Sequence, residues 1–84
     1  MSSLNLERAA MKGKLAEAQE NLKRLLLRGE GLCTAIRQGL NTALTPFAEQ
    51  EIPQVAGQMD DLVMTWAELQ GVQGDISRLE RELR

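Results

Sequence analysis

Residues 26–40 read LLRGEGLCTAIRQGL. Apolar side chains recur here at helical spacing, yet Gly29, Gly31 and Gly39 interrupt them. The stretch is a break between two helices, a phosphate-binding loop, or a notch in one long helix. Phase decides between them. Leu4, Met11, Ala18, Leu25, Leu32 and Gly39 recur every seven residues. Arg8, Leu15, Leu22, Gly29, Ile36 and Ala43 form a second set on the same helix face. The register is the same before and after RGEG, which a break usually loses, leaving a kink or short distortion at residues 29–31 as the alternative to a notch. The spacing predicts one long helix over about residues 3–44, with Ser2 or Ser3 capping its start by accepting a backbone N–H bond. A P-loop needs a preceding strand, a longer glycine-rich turn and a closing Lys-Ser/Thr, none of which RGEGLCT carries.

Pro46 and Pro53 bracket the next segment. Proline lacks the N–H of an interior helical residue and disfavours helix just before it. TPFAEQEIP, residues 45–53, is therefore expected to be the turn. A second helix follows over about residues 54–83, with Val55, Met59, Leu62, Trp66, Leu69, Gln73, Ile76 and Leu83 as its repeat and Val72 and Leu79 on the flank. Two helices and a short connection make an antiparallel, coiled-coil-like hairpin. The expected fold is all-α, a single domain over residues 1–84.

Folding about residue 49 sets Leu40 against Met59, Ile36 against Leu62 and Leu22 against Ile76. It also places Trp66 beside Gly31 and Leu32. The glycines then act as a notch that makes room for the indole. At about 1.5 Å per residue the first helix outreaches the second. Leu4 and Met11 overhang, and an exposed apolar stripe usually finds another chain. A short chain also builds only a marginal core by itself. The expectation is self-association, as a homodimer forming a four-helix bundle or as a tetramer. Leu15, Leu22, Leu25, Leu32, Ile36, Leu62, Trp66, Leu69 and Ile76 are the expected core and self-association residues, with Leu4 and Met11 as a surface for an unknown protein partner.

Composition excludes other ways of reinforcing the fold. There is no histidine and one cysteine, too few for a structural zinc site or an intrachain disulfide. No cofactor or metal is expected. One Trp, one Phe and no Tyr make a poor base-stacking surface. Residues 1–20 lack the apolar core of a secretion signal, and the longest aliphatic run, Leu25-Leu26-Leu27, is far short of a membrane span. These features and the lone cysteine point to a cytoplasmic protein with no membrane partner. Net charge is -2, but unevenly spread. Residues 1–42 carry seven Lys/Arg against four Glu, net +3, and residues 43–84 carry three Arg against eight Asp/Glu, net -5. Opposite signs favour pairing the two segments.

Catalytic chemistry finds few candidates. Without histidine, His-assisted nucleophilic mechanisms are out. Cys33 lies between Leu32 and Thr34 on an apolar stretch and reads as a small core hydrophobe. Asp60 and Asp61 fit a solvated helix start better than an acid/base pair. Phe47 and Ile52 read as a plug closing the bundle end, and Met11, Met59 and Met64 as core filler. Lys23, Arg24 and Arg28 form the densest basic cluster. They suit a solvated helix face, with phosphate contact as the alternative.

The motif LxxAIRxxLxxxLxPF, here Leu32, Ala35-Ile36-Arg37, Leu40, Leu44 and Pro46-Phe47, resembles small helical proteins encoded in Mu-like prophages. Those proteins end in a pattern like IxxLExEL, matched by Ile76, Leu79-Glu80, Glu82 and Leu83. The resemblance spans about residues 22–84. The chain departs from it in a longer amphipathic N-terminus and in glycines at 29, 31 and 39. That family has no established activity, so the resemblance implies no site residues. It implies a non-enzymatic helical protein in a bacterial or phage cytoplasm. The functional expectation is a self-associating protein–protein interaction module. The alternative is a DNA-associated accessory protein using the basic first helix.

Overall fold

The computed structural model describes residues 3–84. It is an all-helical hairpin: α1 spans Ser3–Gly39, a 3₁₀ turn covers Phe47–Glu49, and α2 spans Ile52–Leu83. The two helices pack side by side as a rod of 69 × 16 × 15 Å. Helix α1 runs unbroken through Gly29 and Gly31. Ser2 lies outside the described residues, and Ser3 is the first described residue of α1.

Helix α1 stops at Gly39, about five residues before the expected end. Gly39 is a weak helix former, and Asn41 follows two residues on. The Asn41 side-chain oxygen accepts the N–H of Ala43 at 2.9 Å. An Asn that captures a nearby backbone donor offers the chain an alternative to the helix ladder. The N–H groups of Leu44 and Thr45 bond back to the Asn41 carbonyl, making a turn. Gln50 donates its side-chain amide to the Thr45 carbonyl at 3.2 Å and ties the connection together. Helix α2 then opens at Ile52 with Pro53 in its first turn, where no N–H is needed. Asp60 and Asp61 therefore stand more than two turns inside α2, not at its start.

The seam between the helices keeps strict time. On α1 the seam positions are Met11, Leu15, Ala18, Leu22, Leu25, Gly29, Leu32, Ile36 and Gly39, with Asn21 and Ala35 half-covered beside it. On α2 they are Val55, Gln58, Leu62, Thr65, Leu69, Val72, Ile76, Leu79 and Leu83. Both rows alternate steps of three and four, the heptad spacing of a coiled coil. Leu25 is the most enclosed, at 1% exposure. From Met11 to Gly39 the α1 row is the expected one, whereas Leu4, Arg8 and Ala43 of the expected sets are exposed. The α2 row replaces Met59, Trp66 and Gln73 by Gln58, Thr65 and Val72.

Two close approaches fix the pairing. A Cβ built on Gly39 would fall 2.7 Å from Val55 Cγ2, and one on Gly29 would fall 4.0 Å from Thr65 Cγ2. Ten residues back along α1 thus match ten residues forward along α2. The same register sets Leu32 opposite Leu62, Leu25 opposite Leu69, Leu15 opposite Leu79 and Met11 opposite Leu83. The expected pairing was one helical turn out, because α1 ends sooner than TPFAEQEIP suggests. Glycine does give room at the seam, but at Gly39 for Val55, not at Gly31 for Trp66. A Cβ on Gly31 would meet nothing within 4 Å.

Thr65 belongs in the seam for a reason that hydrophobicity alone misses. It is buried, yet its hydroxyl donates to the Asp61 carbonyl at 2.8 Å within α2. With the polar atom satisfied locally, the methyl is free to face Gly29.

The open end is closed by Arg8. Its guanidinium donates to the Leu83 carbonyl at 2.9 Å. A cation at a helix C-terminus meets the negative end of the helix dipole. Met11 is accordingly half-covered, not overhanging, whereas Leu4 remains 69% exposed. No ion pair joins α1 to α2 among the described residues. The two ion pairs present, Lys23–Glu20 and Arg78–Asp75, are exposed and local.

Candidate interaction surface

The seam divides the rod into two broad faces. One carries the residues just before seam positions: Lys14, Asn21, Arg28 and Ala35 on α1, and Asp61, Glu68, Asp75 and Glu82 on α2. That face is polar, basic on one helix and acidic on the other. The opposite face carries the residues just after seam positions. These are Lys12, Gln19, Leu26, Cys33 and Leu40 on α1, and Met59, Trp66, Gln73 and Glu80 on α2, with Ile52 at the start of that row.

This second face changes character along its length. In the half near the turn every member is apolar or a thiol: Leu26, Cys33, Leu40, Ile52, Met59 and Trp66. Val63 widens the patch, one turn from Met59. In the half near the termini the members are Gln19 and Lys12, Gln73 and Glu80.

Trp66 is the largest side chain of the apolar half and stands at its inner end on α2. It is 60% exposed, and two shallow grooves flank it. One, of about 160 Å³, runs between Leu26, Gly29 and Glu30 of α1 and Leu62, Trp66 and Leu69 of α2, over Leu25 and Thr65. The other, of about 350 Å³, is lined by Cys33, Met59, Leu62, Val63 and Trp66. Leu62 and Trp66 border both, so the grooves form one continuous surface. Scattered exposed apolar side chains are ordinary, whereas a contiguous set of them makes this face a candidate contact surface.

Several sequence expectations move to this surface. Trp66 lies outside the intrachain core, because Thr65 takes the seam position beside it. Cys33 is an exposed thiol, not a buried hydrophobe. Met59 and Met64 are exposed, leaving Met11 alone of the three near the core. Phe47, 72% exposed at the tip, plugs nothing within the chain, and Ile52 is exposed beside it. Leu25 is buried, and Leu15, Leu22, Leu32, Ile36, Leu62, Leu69 and Ile76 are half-covered along the seam. The outward stripe Met59, Val63 and Trp66 was visible as an i, i+4, i+7 set once the seam was placed on Gln58 and Thr65.

The basic cluster is spread along exposed α1. Lys23 lies 3.5 Å from Glu20, and Arg24 donates to the Asn21 side-chain oxygen. Among the described residues no group of three Asp, Glu, Cys or His could hold a metal ion. No described helix is long and apolar enough to cross a membrane. Compared with known proteins, the chain matches no family model, no curated protein and no solved structure.

Proposed function

We propose that this chain is a small, non-enzymatic, self-associating helical protein that works as a protein–protein interaction module. A second copy covers the apolar face around Trp66, giving a four-helix bundle. The observation that carries this reading is the contiguous apolar surface of Leu26, Cys33, Met59, Val63 and Trp66.

Surface area supports it. A compact monomer of 9.3 kDa leaves about 5,000 Å² exposed. This chain leaves 6381 Å². The excess is larger than the roughly 800 Å² that each partner contributes to a standard interface. Among the described residues the buried apolar side chains are Leu25, Val55 and Leu79. The motif likeness at residues 32–47 and 76–83 supports a prophage setting for such a module.

Light scattering on a sizing column, over a hundredfold concentration range, tests the reading. The wild-type chain should show the mass of two chains. Trp66→Glu should show the mass of one, with its helical circular dichroism kept, because the indole is outside the hairpin seam. A wild-type monomer at every concentration would overturn the proposal.

A further inference from the structure

Resting on the self-association just proposed, we infer that the two copies pack antiparallel and staggered, overlapping only through their turn-proximal halves. The change of character along the apolar face sets the extent of overlap. Its apolar members end at Leu26 on α1 and at Trp66 on α2, which line the same groove. Beyond them the face continues with Gln19, Lys12, Gln73 and Glu80. A bundle of two aligned hairpins would enclose those amides and charges along its full length. Enclosing them takes amides and charges out of water, a cost that pairing Lys12 with Glu80 and Gln19 with Gln73 between copies offsets only in part. A staggered pair encloses the apolar half and leaves the polar half in water.

The same face defines where the two-fold axis passes. Cys33 is midway between Leu26 and Leu40, and Met59 is midway between Ile52 and Trp66. These two midpoints line one groove. A closed dimer presents the same patch to itself, so its contacts are reciprocal. An axis through Cys33 and Met59, perpendicular to the rod, sets Trp66 against Ile52 of the other copy and Leu26 against Leu40 of the other copy. Charges agree with this axis. Glu30 and Arg37 flank Cys33, three residues to one side and four to the other. Each therefore faces the opposite charge across the axis. On α2 the flanking residues are Ala56 and Val63, which meet as apolar neighbours. Aligned hairpins would put Glu30 and Arg37 against that apolar edge instead.

The assembly is then a four-helix centre about 20 Å long. From it two hairpin arms, built from residues 3–25 and 69–84, project in opposite directions.

The test is the distance between spin labels on Ser77→Cys in a Cys33→Ser background, read by double electron–electron resonance alongside light scattering. Ser77 is exposed on the arm and outside the overlap. Eighteen residues separate it from Met59, so the staggered dimer places the two labels about 50 Å apart. That distance with a two-chain mass supports the inference. A separation under about 25 Å with a two-chain mass means aligned hairpins, and overturns the stagger while self-association stands. A one-chain mass with no interchain dipolar signal overturns the self-association itself.

Discussion

Gly39 and Val55 approach so closely that a Cβ on the glycine would come within 2.7 Å of Val55 Cγ2. This contact closes the hairpin where α1 ends and α2 begins. Alanine in a helix gains about 1 kcal/mol over glycine, but overpacking against a stiff β-branched side chain costs about 1–3 kcal/mol. Gly39→Ala should therefore lower stability by about 1 kcal/mol. Urea unfolding at fixed protein concentration checks this, and an unchanged or higher midpoint would mean that Val55 gives way.

Gly31 offers the opposite case. It lies mid-helix, and a Cβ there would meet nothing within 4 Å. Gly31→Ala should raise stability by about 0.5–1 kcal/mol. The two glycines, eight residues apart in one helix, thus respond with opposite signs. Loss of stability on Gly31→Ala in the same urea titration would show that this position has a packing role the single chain does not reveal.

Thr65 separates the contributions of a methyl and a hydroxyl. Its hydroxyl bonds within α2, and its methyl faces Gly29. Thr65→Val keeps the methyl and replaces the hydroxyl with a second one, so stability should rise by about 0.5–1 kcal/mol. Thr65→Ser removes the methyl and should cost about 1 kcal/mol. Thermal melts of the three proteins at one concentration rank them, and a Val variant less stable than wild type would assign the hydroxyl a structural role.

The uneven charge of the two segments does not become interhelical ion pairing. Both ion pairs among the described residues join neighbours on one helix, and both are well exposed. Exposed pairs contribute little and are screened by salt. Stability should change by less than about 1 kcal/mol between low salt and molar sodium chloride. A steep fall would show that the +3 and -5 segments hold each other electrostatically.

The seam of the first helix was legible because its large aliphatic residues keep one heptad phase from Met11 to Ile36. Leu15, Leu22, Leu25, Leu32 and Ile36 outlast the competing row of Leu26, Cys33 and Leu40, which gives way to Gln19 and Lys12 toward the N-terminus. The second helix was harder, because size and burial part company in it. Met59 and Trp66 are larger and more apolar than Gln58 and Thr65, so a reading by hydrophobicity places them inside. Their neighbours Val72 and Leu79 carried the correction. With Val55, Leu62, Leu69, Ile76 and Leu83 they make an unbroken three-four rhythm, which passes through residues 58 and 65. The pairing register depended on where α1 ends, and that was hidden in one Asn41 side-chain bond. The exposed apolar face was missed for the same reason as the seam. A tryptophan assigned to the core cannot also be seen as part of an exposed face.

The regular seam has a further consequence for shape. A straight α-helix drifts about 20° per heptad against a seven-residue repeat. Coverage from Val55 to Leu83 at that repeat therefore requires the helices to wind left-handedly about each other. With a pitch of about 150 Å, the roughly 42 Å of the α2 seam turns through roughly 100°. The apolar patch near the turn and the polar strip near the termini consequently look out in different directions. A flat partner can lie along one half of the rod but not along both.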